Sequence, residues 1–265
     1  MDNSESYRGE SVRYETVGAV ATITLTRPSL DASGKEELVQ ACTDSANDGA
    51  VRCVVVTGTG RVFCAGQDLA EHHRALAEGA DAAFATIADH YNPVVTALAT
   101  MRKPVIAAIN GACAGAGLGI ALACDIRVAS VGARFTTAFS AIGLTPDSGL
   151  SASLSRAVGV ARASELVLLS EPFSADQALA WGLVGRVVAA DVLDAEVQVL
   201  AARLAAGPTL AYGVAKRAIR DAWGAPWSDV LAAEQRDQTV LGATADHRGA
   251  VDAFLAKEKP DFTGR

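Results

Sequence analysis

Two loops are rich in small residues and follow apolar runs, the first of them after an intervening glycine pair. The first is FCAGQDL at residues 63–69, and the second is NGACAGAG at residues 110–117. Small residues let a backbone approach a ligand closely, and amides at a helix start point outward with the positive end of the dipole behind them. Two such amides converging on one point would bind a developing oxyanion. Either loop by itself is also typical of an ordinary turn.

Several other catalytic or cofactor motifs are excluded. The run from Gly115 to Ile120 fails the dinucleotide fingerprint, because Ile120 stands where the last glycine is needed. No phosphate-binding G-x-x-x-x-G-K-[ST] loop is present, and PDSG at residues 146–149 is not a nucleophile elbow. His72 and His73 are adjacent, so on a helix they point about 100° apart and cannot share a metal ion. We expect no metal and no separate cofactor.

The elements that must position these loops alternate along the chain. Strands are expected at residues 12–16, 19–25, 51–57, 105–109, 125–130 and 184–188, with a loop at residues 58–69. Helices are expected at residues 35–47, 71–101 (broken at Gly79 and at Asn92-Pro93), 118–123 and 150–158, with a capping box at Ser174. Four more are expected at residues 191–206, 209–222, 228–241 and 246–257. This alternation predicts an α/β fold, with residues 1–190 as its core and residues 191–265 as a helical region packing on the core or on a neighbouring subunit.

Composition limits the partners. The chain has 265 residues and a net charge of −7, which argues against non-specific nucleic-acid binding. Residues 104–124 carry no charge, but their glycines and alanines favour a buried strand, turn and helix over a membrane span. Five cysteines without metal-ligand spacing indicate reduced core thiols. The polar, acidic N-terminus lacks the pattern of a signal peptide, and we expect a cytoplasmic protein.

An ordered set of motifs resembles the enoyl-CoA hydratase/isomerase (crotonase) superfamily along nearly the whole chain. The set comprises TRP at residues 26–28, FCAGQDL, KPVIAAING at residues 103–111, GAG at 115–117, ACDIR at 123–127, GLTPDSG at 143–149 and AWGLV at 180–184. The resemblance implies a spiral of ββα units, a C-terminal helical region that builds trimers or hexamers, and an acyl-CoA thioester substrate.

The resemblance also implies roles for individual residues. The oxyanion donors fall on the backbone amides of Gln67 and Ala116, and the acid/base of the phenylacetate-degradation branch falls on Asp147. An alternative interpretation of Asp147 is the N-cap of the helix at 150–158. The other implied positions are Arg27, Ala65, Asp68, Phe254 and Lys257 toward coenzyme A, and Gly115, Gly119, Phe139 and Leu144 in the acyl pocket. Asp68 and Asp125 are expected mainly to hold loops in place, and residues 71–83 match a mobile cover of the acyl chain.

Two departures from the family pattern decide the expected chemistry. Hydratases of the family use two glutamates, and this chain has Gly119 and Phe139 at those positions. Neither residue exchanges protons, so a single carboxylate remains. The leading hypothesis is therefore an isomerase in which Asp147 moves a proton from C2 of a 3-enoyl-CoA to C4. A ring-epoxide CoA substrate stays open, since Phe139 could pack against an aryl ring.

Three rivals remain. The first is a hydratase of the β-oxidation type in which Asp147 handles water. The second is a CoA-ester binding protein without turnover. The third is a peptidase, which would need a histidine beside Ser148, and none stands near it in sequence.

Overall fold

The computed structural model describes residues 6–264. In chain order the strands are β1 (Ser6–Arg8), β2 (Val12–Val17), β3 (Val20–Leu25), β4 (Cys53–Gly58), β5 (Val62–Cys64), β6 (Val105–Ile109), β7 (Ala112–Ala114), β8 (Ile126–Ser130), β9 (Arg134–Thr136), β10 (Phe173–Ser174) and β11 (Arg186–Val188). The helices are α1 (Ala32–Asn47), α2 (Leu69–Leu76), α3 (Ala80–Thr86), α4 (Asn92–Thr100), α5 (Ala116–Ala123), α6 (Leu150–Val158), α7 (Val160–Leu169), α8 (Ala175–Ala180), α9 (Leu193–Ala205), α10 (Thr209–Asp221), α11 (Trp227–Gly242) and α12 (Ala245–Ala256). A π-helical turn spans Ile87–Tyr91, and a 3-10 turn spans Ser140–Ile142.

A large sheet of seven strands forms the centre of the molecule, in the order β1-β2-β3-β4-β6-β8-β11. The first three strands pair antiparallel, and the others are parallel. β6 is buried along its whole length, as its uninterrupted apolar sequence requires of a strand covered on both faces. The strands expected from residue 12 onward are confirmed.

A second sheet of four strands has the order β10-β9-β7-β5, with β5, β7 and β9 parallel. The expectation of a continuous loop at residues 58–69 is wrong, because β5 lies within it. None of these strands exceeds three residues, too few for period-two alternation to show in a sequence.

The chain crosses both sheets repeatedly. β4 leads into β5 and α2, β6 into β7 and α5, and β8 into β9 and then α6. Each unit adds one strand to each sheet, which is a spiral of ββα units. Because β5 and β7 are neighbours, the loops that follow them lie side by side.

The helical stretch after residue 69 is interrupted at one of the two expected places. α2 and α3 are separated at Gly79, which has φ 117°. The second expected break, at Asn92-Pro93, is wrong, since the π-helical turn runs directly into α4. Pro93 lies in the first turn of α4, directly after the π-helical turn.

The C-terminal helices divide into two kinds. α9 buries Leu193, Val197 and Leu200 in a cluster with side chains of β4, β6 and β8. α10 is tied to the core by the ion pair of Lys216 with Asp125 at 2.8 Å. α11 and α12 leave large apolar side chains exposed. Among the residues that the structure describes, no helix has the length and apolarity needed to cross a bilayer.

Candidate active site

The loop after β5 turns the amide of Gln67 away from the neighbouring strand. The amide of Leu30 donates to the carbonyl of Gly66 at 2.8 Å, and the amide of Asp68 donates to the carbonyl of Leu30 at 3.0 Å. In such a bridge the residue between the two bonded ones has its N–H on the opposite side. The Gln67 amide therefore points away from Leu30.

The second amide belongs to Ala116, the first residue of α5. The first amides of a helix have no intrahelical acceptor and lie at the positive end of the dipole. Gly115 precedes it with φ 53°, a conformation that glycine adopts without strain. Ala116 is itself buried, so its N–H lies in a sheltered position.

The two loops meet closely. A Cβ atom at Gly66 would lie 3.3 Å from the nitrogen of Ala116 and 3.3 Å from the carbonyl oxygen of Ala114. A Cβ atom at Gly117 would lie 2.2 Å from the carbonyl oxygen of Cys64, so only glycine allows α5 to sit this near β5. The structure thus brings together the two loops that the sequence singled out.

Helix α5 also contacts the turn that carries Asp147. A Cβ atom at Gly119 would lie 2.6 Å from Cβ of Ser148 and 2.9 Å from its carbonyl oxygen. Ser148 is 3% exposed and has φ 52°, and Gly149 follows with φ 70°. The turn therefore occupies the space into which any side chain at position 119 would project. Ser148 was not singled out by the sequence, because this contact depends on the tertiary fold.

The carboxylate of Asp147 is half-buried, and its Oδ1 atom accepts a hydrogen bond from the hydroxyl of Ser148 at 2.7 Å. Burial raises the pKa of Asp147, and the Ser148 hydrogen bond partly opposes that rise. The N-cap interpretation is wrong, since α6 is capped by Gly149 without a side-chain hydrogen bond. Asp147 is left as a desolvated carboxyl group that could accept a proton.

Apolar side chains line the neighbourhood of these loops. Phe139 is buried, and its ring tip would lie 4.0 Å from a Cβ atom at Gly115. The amide of Leu144 donates to the carbonyl of Phe139 at 3.0 Å, which fixes the turn before Asp147. A groove of about 830 Å³ opens beside Gly119 and Ser148 among α4, α5, α6 and α10, and its lining does not include Gln67, Ala116 or Asp147.

The residues expected to face coenzyme A lie on three separate segments of the chain. Asp68 caps α2 by accepting from the amide of Glu71 at 2.8 Å, so its carboxylate holds a loop, as expected also for Asp125. Arg27 pairs with Asp31 at 2.9 Å, and Ala65 is exposed. Phe254 and Lys257 lie exposed at the end of α12.

A ββα spiral in which the loops of Gln67 and Ala116 pack together, with the turn of Asp147 against α5, points to an enzyme of the crotonase class. The enoyl-CoA hydratase/isomerase family model matches residues 15–265, and the chain belongs to this family. Enzymes of the family act on coenzyme A thioesters.

Individual relatives cover nearly the whole chain. The chain is 41% identical to 1,2-epoxyphenylacetyl-CoA isomerase of Escherichia coli K12, over 93% of this chain and 95% of that protein. It is 37% identical to 2,3-dehydroadipyl-CoA hydratase of the same organism, over 93% of this chain and 96% of that one. The crystal structure of an enoyl-CoA hydratase from Bacillus anthracis superposes with a TM-score of 0.90 at 29% identity, covering 97% of this chain and 100% of that one. The proteins similar to this chain therefore include both isomerases and hydratases.

Proposed function

We propose that this enzyme isomerises unsaturated acyl-CoA thioesters with one acid/base, Asp147. The thioester oxygen binds between the amides of Gln67 and Ala116. Asp147 removes a proton from C2 of a 3-enoyl-CoA, the electron pair delocalises onto the thioester oxygen as a dienolate, and the carboxyl returns the proton at C4. One carboxyl suffices, because it serves as base in the first half and as acid in the second.

The observation that carries this proposal is the contact of Gly119 with Ser148. A hydratase glutamate at position 119 would need the space that Ser148 fills, within 2.6 Å of its Cβ atom. Because Ser148 follows Asp147 in the chain, the same contact also restrains the position of Asp147. The structure therefore supports one carboxylate opposite the amide pair instead of two glutamates.

Electrostatics supports the two half-reactions. The amides carry no charge and are fixed by the backbone, so they stabilise the dienolate oxygen without reorganising; one such donor is typically worth about 10²–10³-fold in kcat. Burial raises the pKa of Asp147, which makes the carboxylate a stronger base for removal of the C2 proton.

The test is Asp147→Asn assayed with a 3-enoyl-CoA. We expect kcat to fall by about 10²–10⁴-fold, the usual contribution of a general base, with a melting temperature no lower than that of wild type. Asp176→Asn, which changes an exposed aspartate in the first turn of α8, is the matched control. Near wild-type isomerisation by Asp147→Asn would refute the assignment.

A second candidate reaction is isomerisation of a ring-epoxide CoA thioester. It is supported by the 41% identity to 1,2-epoxyphenylacetyl-CoA isomerase and by the buried ring of Phe139 near Gly115. The rival hydratase reaction would show itself as 3-hydroxyacyl-CoA formed from a 2-enoyl-CoA. A protein that only binds CoA esters would convert none of these substrates.

We also propose that residues 191–265 form the contact between subunits of a trimer or a pair of trimers. The exposed side chains of Trp227 and Phe254, at 74% and 79%, support an apolar contact surface there. Phe254 and Lys257 would then approach the coenzyme A bound by a neighbouring subunit, with Arg27 near its nucleotide end. Light scattering gives the subunit number, and Lys257→Ala should raise KM for the thioester while kcat is kept.

A further inference from the structure

Helix α2 follows Gln67 almost directly in the chain and has no buried face of its own. None of its eight residues, all of which the structure describes, is buried. Its two leucines, Leu69 and Leu76, are 61% and 44% exposed. Because most helices in proteins owe their position to a packed apolar face, α2 needs other contacts to hold it against the core.

The side chain of Glu71, in the first turn of α2, makes such contacts with α1. One carboxylate oxygen accepts from the amide of Ala32 at 2.5 Å, and the other accepts from the ammonium group of Lys35 at 2.6 Å. Ala32 is the first residue of α1, so its amide has no acceptor within that helix. Glu71 therefore caps α1 from a second helix and ties α2 to it.

Lys35 is a charged side chain buried in α1. It is 3% exposed, and its ammonium group forms an ion pair with Glu71. A buried ion pair often stabilises a fold no more than an apolar pair of similar volume, and its best-attested use is to fix one arrangement over others. The expected contribution of this pair is therefore a fixed position of α2 more than added stability.

The position of α2 bears on the amide of Gln67, which precedes Glu71 by four residues. Gly66 and Asp68, on either side of Gln67, are bonded to the backbone of Leu30 at 2.8 and 3.0 Å. Gly66 has φ 87°, and glycine leaves the next peptide plane free to rotate. The carboxylate of Asp68 accepts from the amide of Glu71 at 2.8 Å, so the first turn of α2 sets the direction in which the chain leaves Asp68. A shift of that turn would rotate the Gln67 N–H.

We propose that Glu71 is a positioning residue for the oxyanion donor Gln67, and that it acts through its ion pair with Lys35. This inference rests on the proposed function and deepens it, because it identifies what keeps one of the two donors aimed at the thioester oxygen. Glu71 gives up no proton in this role and acts only through the backbone. Alignment matters because hydrogen bonds weaken steeply as the donor turns away from the acceptor.

The experiment measures polarisation of the thioester carbonyl directly. A saturated acyl-CoA with an isotope-labelled carbonyl is bound to wild type and to Glu71→Ala, and the carbonyl stretch is recorded by infrared difference spectroscopy. In wild type we expect a lower wavenumber than for the free thioester in buffer, and in Glu71→Ala we expect about half of that shift, since the Ala116 amide remains. With a 3-enoyl-CoA, kcat should fall by about 10–10²-fold while KM stays within about threefold.

A second variant separates positioning from stability. Glu71→Ala leaves the Lys35 ammonium group buried without its partner, so the melting temperature should fall. Lys35→Met combined with Glu71→Ala removes both charges. We expect the melting temperature to recover toward wild type, while kcat and the carbonyl shift stay as low as in Glu71→Ala.

Glu36→Ala is the matched control, because it removes an exposed glutamate from α1, the helix that carries Lys35. It should equal wild type in the carbonyl shift, in kcat and in melting temperature.

Two results overturn the inference about Glu71. One is a carbonyl shift in Glu71→Ala equal to that of wild type, and the other is recovery of kcat together with melting temperature in the double variant. The spectrum requires no turnover, so a failure of Asp147 as the base leaves this test intact. If wild type itself shows no carbonyl shift, the amide pair is not an oxyanion site, and the proposed function fails along with the inference.

Discussion

The two sides of the candidate site are built by different means. The amide side consists of backbone groups of Gln67 and Ala116, held by strand pairing and by glycines that allow close approach. The acid side consists of side chains, those of Asp147 and Ser148, on a turn with positive φ at Ser148 and Gly149. Both sides pack closely on glycines of α5, but the amide side depends on backbone position, whereas the acid side depends on the chemistry of two side chains. Substitutions on the two sides should therefore impair the enzyme in different ways.

Among the variants that change packing, the largest effect is expected from adding one methyl group on the amide side. In Gly117→Ala the new Cβ atom would lie 2.2 Å from the carbonyl oxygen of Cys64, which must move α5 away from β5. We expect kcat to fall by about 10²-fold or more, with destabilisation of about 1–3 kcal/mol from overpacking. Steady-state kinetics and chemical denaturation measure the two effects.

Gly132→Ala is the control for Gly117→Ala, because a Cβ atom there would meet nothing within 4 Å. It should leave activity and stability close to wild type. Equal behaviour of the two variants would show that the amide side is not held by close packing.

The next effect tests whether the acid side can be converted into that of a hydratase. In Gly119→Glu the side chain must displace Ser148, whose Cβ atom is 2.6 Å from the new Cβ position. We expect isomerase activity to fall by about tenfold or more, without a gain of hydration activity. Product analysis by chromatography with 2-enoyl-CoA and 3-enoyl-CoA measures both. Efficient hydration by this variant would show that the turn of Ser148 moves to make room for the glutamate side chain.

A smaller effect concerns stability. The folded protein raises the pKa of Asp147, so ionisation of this group weakens folding as pH rises through the folded-state value, and the penalty is absent below the unfolded-state value. Asp147→Asn removes the penalty, and at pH 7 we expect a melting temperature higher than that of wild type. The difference should vanish in acid, and thermal unfolding across pH tests it. A variant less stable than wild type at neutral pH would contradict the burial argument.

The smallest effect is a shift of the pH profile. Ser148→Ala removes the hydrogen bond that lowers the pKa of Asp147, so this pKa rises further. Because the base must be deprotonated, kcat/KM falls as pH drops through this value, and the acid limb should move to higher pH. Activity at pH 8 should change by less than about threefold, since the carboxylate remains ionised there. If the acid limb of the kcat/KM profile did not move, a group other than Asp147 would control it.

Long apolar strands and capped helices are the parts of the fold that the sequence predicts. β4, β6 and β8 are buried runs, and the Ser174 capping box opens α8 as expected. The small sheet escapes prediction, because β5, β7 and β9 are too short to show a period. The π-helical turn at Ile87–Tyr91 also escapes, since proline at the start of α4 resembles a helix break.

By itself the sequence determines the small residues at 63–69 and 110–117, the lone Asp147, and the glycine at position 119. It determines them because backbone access and proton exchange depend on residue type. Only the tertiary structure decides that Ser148 fills the place of a side chain at 119 and that burial raises the pKa of Asp147. These properties arise from the distances and solvent exposure of residues far apart in the chain, which no local pattern records.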